Sequence, residues 1–180
     1  MYLKLVLAVA NFAGALSRAA KKGNGVMVAG RTILKLAPNA VAQLSKNKRI
    51  VLISGTNGKT TTVRLISHLL SETGLRVGMT GTDGVYINHR LIDTGDCSGP
   101  KSARNVLMHP DVDAAVLETA RGGLLREGLG FDRCEVAVVT NIGEGDHLGL
   151  NYITSVEDLA VLKRVIVQNV APTGAAVLNA

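Results

Sequence analysis

The sequence predicts an α/β fold with a mostly parallel sheet that is flanked by helices. Hydrophobic residues make up 47% of the 180 positions, which is enough to build one substantial core. Apolar runs of strand length alternate with longer segments whose apolar residues recur at helical spacing. Aromatic residues make up only 3% of the chain, and there is no Trp, so buried Val-, Ile- and Leu-rich parallel strands fit better than an aromatic-packed sandwich.

The first 48 residues are predicted to form a helical lead-in before the sheet begins. Residues 1–22 have the composition of an apolar helix but are too short in apolar length to span a membrane. Glycines over residues 23–30 predict a loop, and Pro38 is suited to open a short helix at 38–46. We expect the first helix, which is followed by the basic stretch Arg18–Lys22, to dock on a partner, with a signal peptide or surface anchor as the alternative. A homo-oligomer is a separate expectation.

From residue 49 onward the pattern predicts one further unit, residues 49–180, with regularly alternating strands and helices. The run Thr154-Ser-Val-Glu157 has the spacing of a capping box, which favours a helix start there. The chain stops just after a strand, so we expect this unit to be incomplete, as a piece of a longer protein. The predicted elements are strand 50–54, helix 59–72, strand 76–80, a β-hairpin around Tyr86–Leu91, helix 101–108, strand 113–118, a short helix at 121–127, strand 135–140, helix 155–169 and strand 175–178.

The most informative motif is the turn after the first strand, Gly55-Thr-Asn-Gly-Lys-Thr60. Glycines allow backbone N–H groups to approach phosphate oxygens, and the start of the following helix favours an anion. Lys59 supplies a positive charge, and Thr60 supplies a hydroxyl for Mg²⁺. The spacing departs from the usual Walker form, because Ile53 stands where that form has a glycine. The motif nevertheless predicts a phosphate-binding loop.

Polar residues follow two other predicted strands. Glu118 ends one strand, and the next ends in Thr140-Asn141, whose loop carries Asp146 and His147. Ligands of open α/β sheets gather at the carboxyl ends of the strands. A carboxylate and an imidazole beside a triphosphate would suit one or two Mg²⁺ ions.

Composition and missing motifs exclude several other classes of function. The net charge of +6 suits anionic ligands, but the basic residues are spread out without interleaved aromatics, which argues against nucleic-acid binding. No Asn-Lys-x-Asp run is present, so a switch GTPase is not expected. Cys97 and Cys134 have neither the spacing of a metal site nor that of a disulfide framework. We expect both to be reduced thiols in a cytoplasmic protein.

These motifs together resemble the central, ATP-binding domain of the Mur ligase family. Longer runs, Gly95–Pro100, Ala115–Asp132 and Asp146–Leu150, look like the Mur-ligase-like half of the cyanophycin synthetase family. The resemblance covers about residues 50–180. Residues 1–48 do not resemble the ATP-grasp portion that precedes this domain in those enzymes, and are more similar to the lead-in of the Mur-like subunit that amidates lipid II.

The resemblance implies an ATP-dependent acid–amino-acid ligase of P-loop type that works through an acyl phosphate. Its partners would be a peptide or amino acid with a free carboxylate and an amine acceptor, and its cofactors ATP and Mg²⁺. Asp83, Asp96, Ser98 and Arg121 lie in loops that could face the acceptor. By matching position, the resemblance implies that Gly55, Thr56, Asn57, Gly58, Lys59, Thr60, Thr61 and Asn141 bind the nucleotide, that Thr60, Glu118 and His147 bind metal, and that Lys59, Glu118, His147 and Lys163 are catalytic, Lys163 as a carbamylated lysine.

Three alternatives are left open. A truncated, non-catalytic ATP-binding module would bind nucleotide without turnover. A lipid II amidating subunit would use ammonia from a glutaminase partner and often carries four zinc-binding cysteines, whereas this chain has two. Folylpolyglutamate synthesis is weaker, because the runs at 95–100 and 127–132 are not typical of that family.

Overall fold

In a computed structural model, which describes residues 2–21, 25–144, 148–149 and 152–179, the chain folds into seven helices and seven strands. The strand and helix order predicted from residue 49 onward is confirmed. The elements are α1 (Tyr2–Ala19), α2 (Val26–Leu36), α3 (Ala40–Ser45), β1 (Arg49–Ser54), α4 (Lys59–Glu72), β2 (Val77–Gly81), β3 (Gly84–Ile87), β4 (Arg90–Thr94), α5 (Pro100–Met108), β5 (Ala114–Glu118), α6 (Arg121–Glu127), β6 (Cys134–Val139), α7 (Val156–Gln168) and β7 (Val170–Leu178).

All the strands belong to one sheet with the order β4-β3-β2-β5-β1-β6-β7. β2, β5, β1, β6 and β7 run parallel, and β3 and β4 add an antiparallel hairpin at one edge. The mostly parallel sheet and the predicted hairpin are therefore confirmed. Because β1 lies between β5 and β6, the loop after β1 is flanked by the ends of both neighbours, and Ile53 pairs with Glu118.

The sheet is covered on both faces, as its two separate cores demonstrate. Ile50 and Leu52 of β1 belong to a core with residues of α5, α7 and the lead-in. Val51 and Ile53 belong to a second core with Val63 of α4. Successive strand residues point to opposite faces, so one apolar strand feeds both cores. α4 thus begins on one face of the sheet while α7 packs on the other.

The predicted loop at 23–30 is wrong, because α2 begins at Val26. Gly25 supplies a left-handed turn, with φ of 76°, immediately before the helix. A Cβ on Gly25 would lie 2.1 Å from the carbonyl oxygen of Gly14, and one on Gly30 would lie 2.5 Å from Asn105 Oδ1. These glycines mark close approaches between packed helices, which a sequence cannot distinguish from loop glycines.

The last helix and strand both differ slightly from the prediction. The helix start near 155 is confirmed, but the capping box pairs Ser155 with Asp158, one residue later than expected. β7 begins at Val170 rather than at 175. Gly174 accommodates an irregularity in the β6–β7 register, since a Cβ there would lie 2.2 Å from the carbonyl oxygen of Glu135. The strand therefore continues through a segment that looks like a turn in sequence.

Two further features bear on how the chain is used. Within the described residues, no helix combines the length and the apolar character needed to cross a bilayer.

Cys97 and Cys134 are both buried free thiols. Burial raises the pKa of the Cys134 thiol to about 11 and also raises the pKa of Cys97, so neither is an activated nucleophile.

Candidate functional site

The turn between β1 and α4 has the geometry of an anion-binding loop. Gly58 is the N-cap of α4, with φ of 78°, and none of the described side chains caps the helix. The N–H groups of a first helical turn have no intrahelical partner, and the helix dipole adds partial positive charge there. Lys59 and Thr60 begin the helix directly after this glycine. The start of α4 therefore offers backbone donors and a cation to a phosphate group.

Gly55 is required at the first position of this loop by both its conformation and its surroundings. Its φ of 153° is a backbone conformation that residues with a side chain rarely adopt. A Cβ there would lie 1.9 Å from Thr140 Oγ1, at the end of β6. The loop can therefore pass close to β6 only because residue 55 has no side chain.

The side-chain amide of Asn141 holds the loop in place by bonding the backbone of the loop. Its Oδ1 accepts from the N–H groups of Thr56 at 3.1 Å and Asn57 at 2.9 Å, and its Nδ2 donates to the Asn57 carbonyl at 3.2 Å. Thr140 Oγ1 donates to the same carbonyl at 2.6 Å. Asn141 thus lies where the sequence placed it, but its amide is occupied by the loop itself.

Lys59 lies folded over the loop. Its Nζ donates to the carbonyl oxygen of Thr56 at 2.9 Å. Both residues are in the predicted nucleotide-binding set, as is Thr61, which is exposed in the first turn of α4. In the described part of the chain, the bond to Thr56 is the one hydrogen bond of this ammonium group, and it is partly buried. Lys59 can therefore swing to an incoming anion at the cost of one hydrogen bond.

Glu118 and Thr60 meet although 58 residues separate them. Thr60 Oγ1 donates to Glu118 Oε2 at 2.9 Å, and Thr82 Oγ1 lies 3.3 Å from Thr60 Oγ1. Glu118 is only 3% exposed, and its Oε1 is buried without a partner within the described part of the chain. Burial raises the pKa of this carboxyl, although the Thr60 hydroxyl and the charge of Lys59 act in the opposite direction.

Lys163 enters the site from the opposite face of the sheet. It is 1% exposed, and its Nζ donates to the carbonyl oxygen of Gly55 at 2.7 Å. Burial and the nearby positive charges of Lys59 and Arg121 lower the pKa of Lys163 to about 8. A fully buried lysine amine at the base of an anion-binding loop is not an ordinary surface lysine.

The four residues that the resemblance placed near the acceptor lie in different surroundings. Asp83 is bound by Arg64 and by Tyr86 Oη, the latter at 2.8 Å. Ser98 is buried, and its Oγ donates to Asp96 Oδ1 at 2.5 Å. Arg121 begins α6 near Lys163. The segment before α5 is held beside the site, because Ala120 N–H donates to the Ser98 carbonyl at 3.1 Å.

The donor set of the site fits Mg²⁺. Thr60 Oγ1 and the buried, half-satisfied carboxylate of Glu118 are hard oxygen donors at the carboxyl ends of neighbouring elements. His147 and Asp146 lie outside the described residues. Across the described ranges no group of three or more His, Cys, Asp or Glu side chains is placed to hold a metal ion. The oxygens of Thr60 and Glu118 thus form an open half-site.

Three hydroxyl residues lie around the loop, and of these only Thr140 was indicated by the sequence, as the polar end of a strand. Thr82 follows β2 and lies next to Thr60, and Thr140 contacts the loop through Asn57. Ser54 Oγ donates to the Thr119 carbonyl at 3.1 Å, which ties β1 to β5 behind the loop. All three lie at the carboxyl ends of strands, so the rule that identified Glu118 and Thr140 could also have found Thr82 and Ser54.

The parallel sheet, the uncapped glycine turn and the Lys-Thr pair at the start of α4 define the class of P-loop α/β domains. Comparison with known proteins makes this more specific. The Mur ligase middle domain family matches residues 53–180, and the chain belongs to that family.

Individual relatives agree with this family. The chain is 53% identical over 131 residues to a cyanophycin synthetase of Synechocystis sp., covering 73% of this chain and 15% of that protein. It is 50% identical over 153 residues to one from Trichormus variabilis, covering 85% of this chain and 16% of that protein. The second match extends into the lead-in, beyond the residues on which the resemblance was based. The chain spans only about one sixth of either relative.

A solved structure has the same fold. The chain resembles a UDP-N-acetylmuramoyl-L-alanyl-D-glutamate–2,6-diaminopimelate ligase with a TM-score of 0.59 and 23% identity. The match covers 85% of this chain and 35% of the other. It supports the fold predicted from the order of strands and helices.

Proposed function

We propose that this chain supplies the nucleotide-binding site of an ATP-dependent ligase that joins a carboxylate to an amine. One observation carries the proposal: Glu118 Oε2 accepts from Thr60 Oγ1 at 2.9 Å beside the uncapped start of α4. A hydroxyl and a carboxylate at that point suit a metal-bound triphosphate. The names of the relatives, cyanophycin synthetase and a diaminopimelate ligase, support the same class of reaction.

In the proposed reaction an oxygen of the substrate carboxylate attacks the γ-phosphorus of ATP, and the bond from that phosphorus to ADP breaks. The amine nitrogen then attacks the carbonyl carbon of the acyl phosphate. Phosphate leaves with the electrons of the C–O bond, and the amine loses a proton. Little covalent chemistry is left to the protein, so its residues act mainly by positioning and by charge.

The loop residues have separate roles in this proposal. The loop is shaped by Gly55, Thr56, Asn57 and Gly58. Asn141 Oδ1 holds it by accepting from two backbone N–H groups of the loop. The N–H groups of Lys59, Thr60 and Thr61 face the phosphates from the first turn of α4. The Lys59 ammonium leaves Thr56 to neutralise charge on the β- and γ-phosphates.

Thr60 and Glu118 would hold Mg²⁺, together with His147, which enters the proposal from sequence alone. Bound Mg²⁺ would stabilise the negative charge that develops on the transferring phosphoryl group. Glu118 is prepared for this role because its Oε1 has no hydrogen-bond donor in the described structure and its Oε2 is oriented by Thr60.

Lys163 is proposed to be carbamylated. The neutral amine would attack CO₂, forming an N–C bond and releasing a proton, and the buried cation would become an anion that metal binding requires. A buried amine beside the loop, with its pKa near 8, supports this role because a substantial fraction is neutral at physiological pH. A carbamate signal in ¹³C NMR with labelled bicarbonate, absent in Lys163→Arg, would support the modification, and identical spectra would refute it.

The deciding experiment measures ADP release with Mg-ATP, with and without candidate carboxylate and amine substrates. A ligase releases ADP in step with the acceptor, whereas a binding module binds Mg-ATP without turnover. Coupled turnover that is lost in Lys59→Ala supports the proposal. Binding without turnover across acceptors would favour the non-catalytic module. ATP and the two free thiols also suit the cytoplasm, where we propose that the protein works.

A further inference from the structure

Charge is distributed very unevenly along the chain. Residues 1–49 contain nine Lys and Arg residues and no Asp or Glu, whereas residues 50–180 carry a net charge of −3. The positive net charge of the chain therefore comes entirely from the lead-in and the first residue of β1. The phosphate-binding loop lies outside this segment, so its function does not explain the concentration of charge.

The first helix of this basic segment has an exposed apolar face. Phe12 is 67% exposed, Tyr2 and Leu5 are each 64% exposed, and Leu16 is 56% exposed. The opposite face of α1 is buried, with Val6, Ala10 and Gly14 facing the core. The helix is therefore apolar on both sides, and packing within the described chain accounts for only one of them. The exposed apolar set is Tyr2, Leu5, Ala8, Val9, Phe12, Ala15, Leu16 and Ala19.

The shape of this face identifies what could cover it. At 3.6 residues per turn the exposed apolar set spans an arc of about 140°. A coiled-coil partner needs a narrow seam with charged residues on both borders. Here the polar border is on one side only, formed by Lys4, Asn11 and Arg18 at intervals of seven residues. A wide apolar arc with a basic border is typical of a helix that lies in a lipid interface.

The apolar face continues onto α2, and an exposed lysine lies at each of its two ends. Tyr2 Oη donates to the Leu36 carbonyl at 2.5 Å, which brings the end of α2, with Leu36 42% exposed, against the start of α1. Lys35 is exposed at that end, and Lys21 is exposed beyond the other end of α1. Lysine stems can lie along an apolar surface while their charged groups reach phosphate headgroups.

We propose that α1 and the end of α2 bind the surface of an anionic phospholipid membrane, with α1 lying in the interface plane. The basic charge of the lead-in complements lipid phosphate, and the exposed apolar arc enters the boundary of the acyl chains. A helix that lies in the interface plane gives a peripheral attachment.

Co-sedimentation of the full chain with vesicles tests this proposal. Vesicles of phosphatidylcholine alone are compared with vesicles that also contain phosphatidylglycerol, at low and at high salt. We expect binding to the anionic vesicles, weakened by salt, and little binding to the neutral ones. Absence of binding to both, or equal binding to both, would overturn the proposal.

Two sets of variants separate the apolar and the charged contributions. Leu5→Glu/Phe12→Glu should weaken binding to the anionic vesicles by more than about tenfold, because charge enters the apolar arc. Lys4→Gln, Lys21→Gln and Lys35→Gln should each weaken it about fivefold. The matched control is Leu65→Glu/Leu69→Glu, because both leucines are 57% exposed on α4, outside the lead-in. An equal loss in this control would overturn the assignment to α1.

A second copy of the chain is the competing occupant of this face. Light scattering without lipid decides between them. A monomer that binds anionic vesicles supports the membrane surface. A dimer that Leu5→Glu/Phe12→Glu converts to monomer would assign the face to self-association and overturn the proposal. Melting temperatures of all variants, expected to match the unsubstituted chain, show that lost binding is not lost folding. Nucleotide binding is unaffected in either case, so this proposal and the proposed function can fail separately.

Discussion

Lys163 Nζ donates to the carbonyl oxygen of Gly55 at 2.7 Å, so the last described helix holds the first residue of the phosphate-binding loop across 108 positions of sequence. The contact is fully buried, since Lys163 is 1% exposed. It joins two features that the sequence placed in one site without showing how they meet. The loop is therefore held by two side chains: the Lys163 amine bonds the Gly55 carbonyl, and the Asn141 amide bonds the Asn57 N–H.

Lys59→Ala should weaken Mg-ATP binding by at least about tenfold, because a charge-assisted bond to phosphate is worth about 1.5–3 kcal/mol. Stability should change little, since among the described residues the ammonium makes one hydrogen bond, to the Thr56 carbonyl. Titration calorimetry with Mg-ATP measures the affinity. Lys46→Ala, an exposed lysine of the lead-in turn, is the control. Equal affinity in both variants would remove Lys59 from the site.

Glu118→Gln should raise the stability of the nucleotide-free protein while weakening its Mg²⁺ response by at least about tenfold. Burial raises the pKa of Glu118, so the folded protein binds a proton more readily than the unfolded chain does. The free energy of unfolding therefore falls as pH rises from the usual pKa of a glutamate through the raised pKa of Glu118. Glutamine does not ionise, so the variant avoids this fall. Thermal melting across pH 4–8 measures the first effect, and Mg²⁺ titration of nucleotide binding the second. A lower melting temperature at neutral pH would contradict this account of the burial.

Lys163→Met should flatten the alkaline part of the stability profile. The pKa of Lys163 is lowered from 10.5 to about 8, so the folded protein binds fewer protons than the unfolded chain between these values. The unsubstituted protein should gain up to about 3 kcal/mol between pH 8 and 10.5 relative to the variant. Urea unfolding at several pH values measures the difference. Parallel profiles for the two proteins would show that the amine is not buried as an unpaired cation.

Asn141→Ala should loosen the phosphate-binding loop. The backbone N–H of Asn57 loses its acceptor, and that of Thr56 keeps only the backbone carbonyl oxygen of residue 141, at 3.0 Å, which should reduce the free energy of unfolding by about 1–2 kcal/mol. Mg-ATP affinity should fall as well, because the loop is no longer preorganised. Urea unfolding and calorimetry measure the two losses. Asn47→Ala, at an exposed turn, serves as the comparison, and matching results for the two variants would argue against a bracing role.

Local sequence was sufficient to predict β1, the glycine turn and α4. The turn needs particular residues at fixed offsets, and the flanking elements are periodic, so neighbours along the chain carry the information. Glu118 was also predictable, because a polar residue at the end of a buried strand is exceptional, and parallel strands end at the same edge. The family followed from the same local motifs.

Other parts of the molecule depended on partners distant in sequence. α2 was missed because Gly25 and Gly30 serve helix packing, which has the same signature as a loop. The beginning of β7 was missed because Gly174 accommodates a β-bulge against Glu135. A glycine in the sequence indicates only that a close contact or a special backbone conformation is needed at that position. The residue that makes the close contact lies elsewhere in the chain, so the sequence around the glycine does not identify it.

By itself, then, the sequence determined the order of strands and helices, the loop that suits a phosphate, and the residues at the strand ends, because each depends on spacing along the chain. Tertiary structure decided what those residues contact. The Asn141 amide bonds the loop, Glu118 has one oxygen without a donor among the described residues, and Lys163 is buried against the Gly55 carbonyl. Burial and hydrogen bonding depend on packing in three dimensions, and these set the charge and orientation of each group.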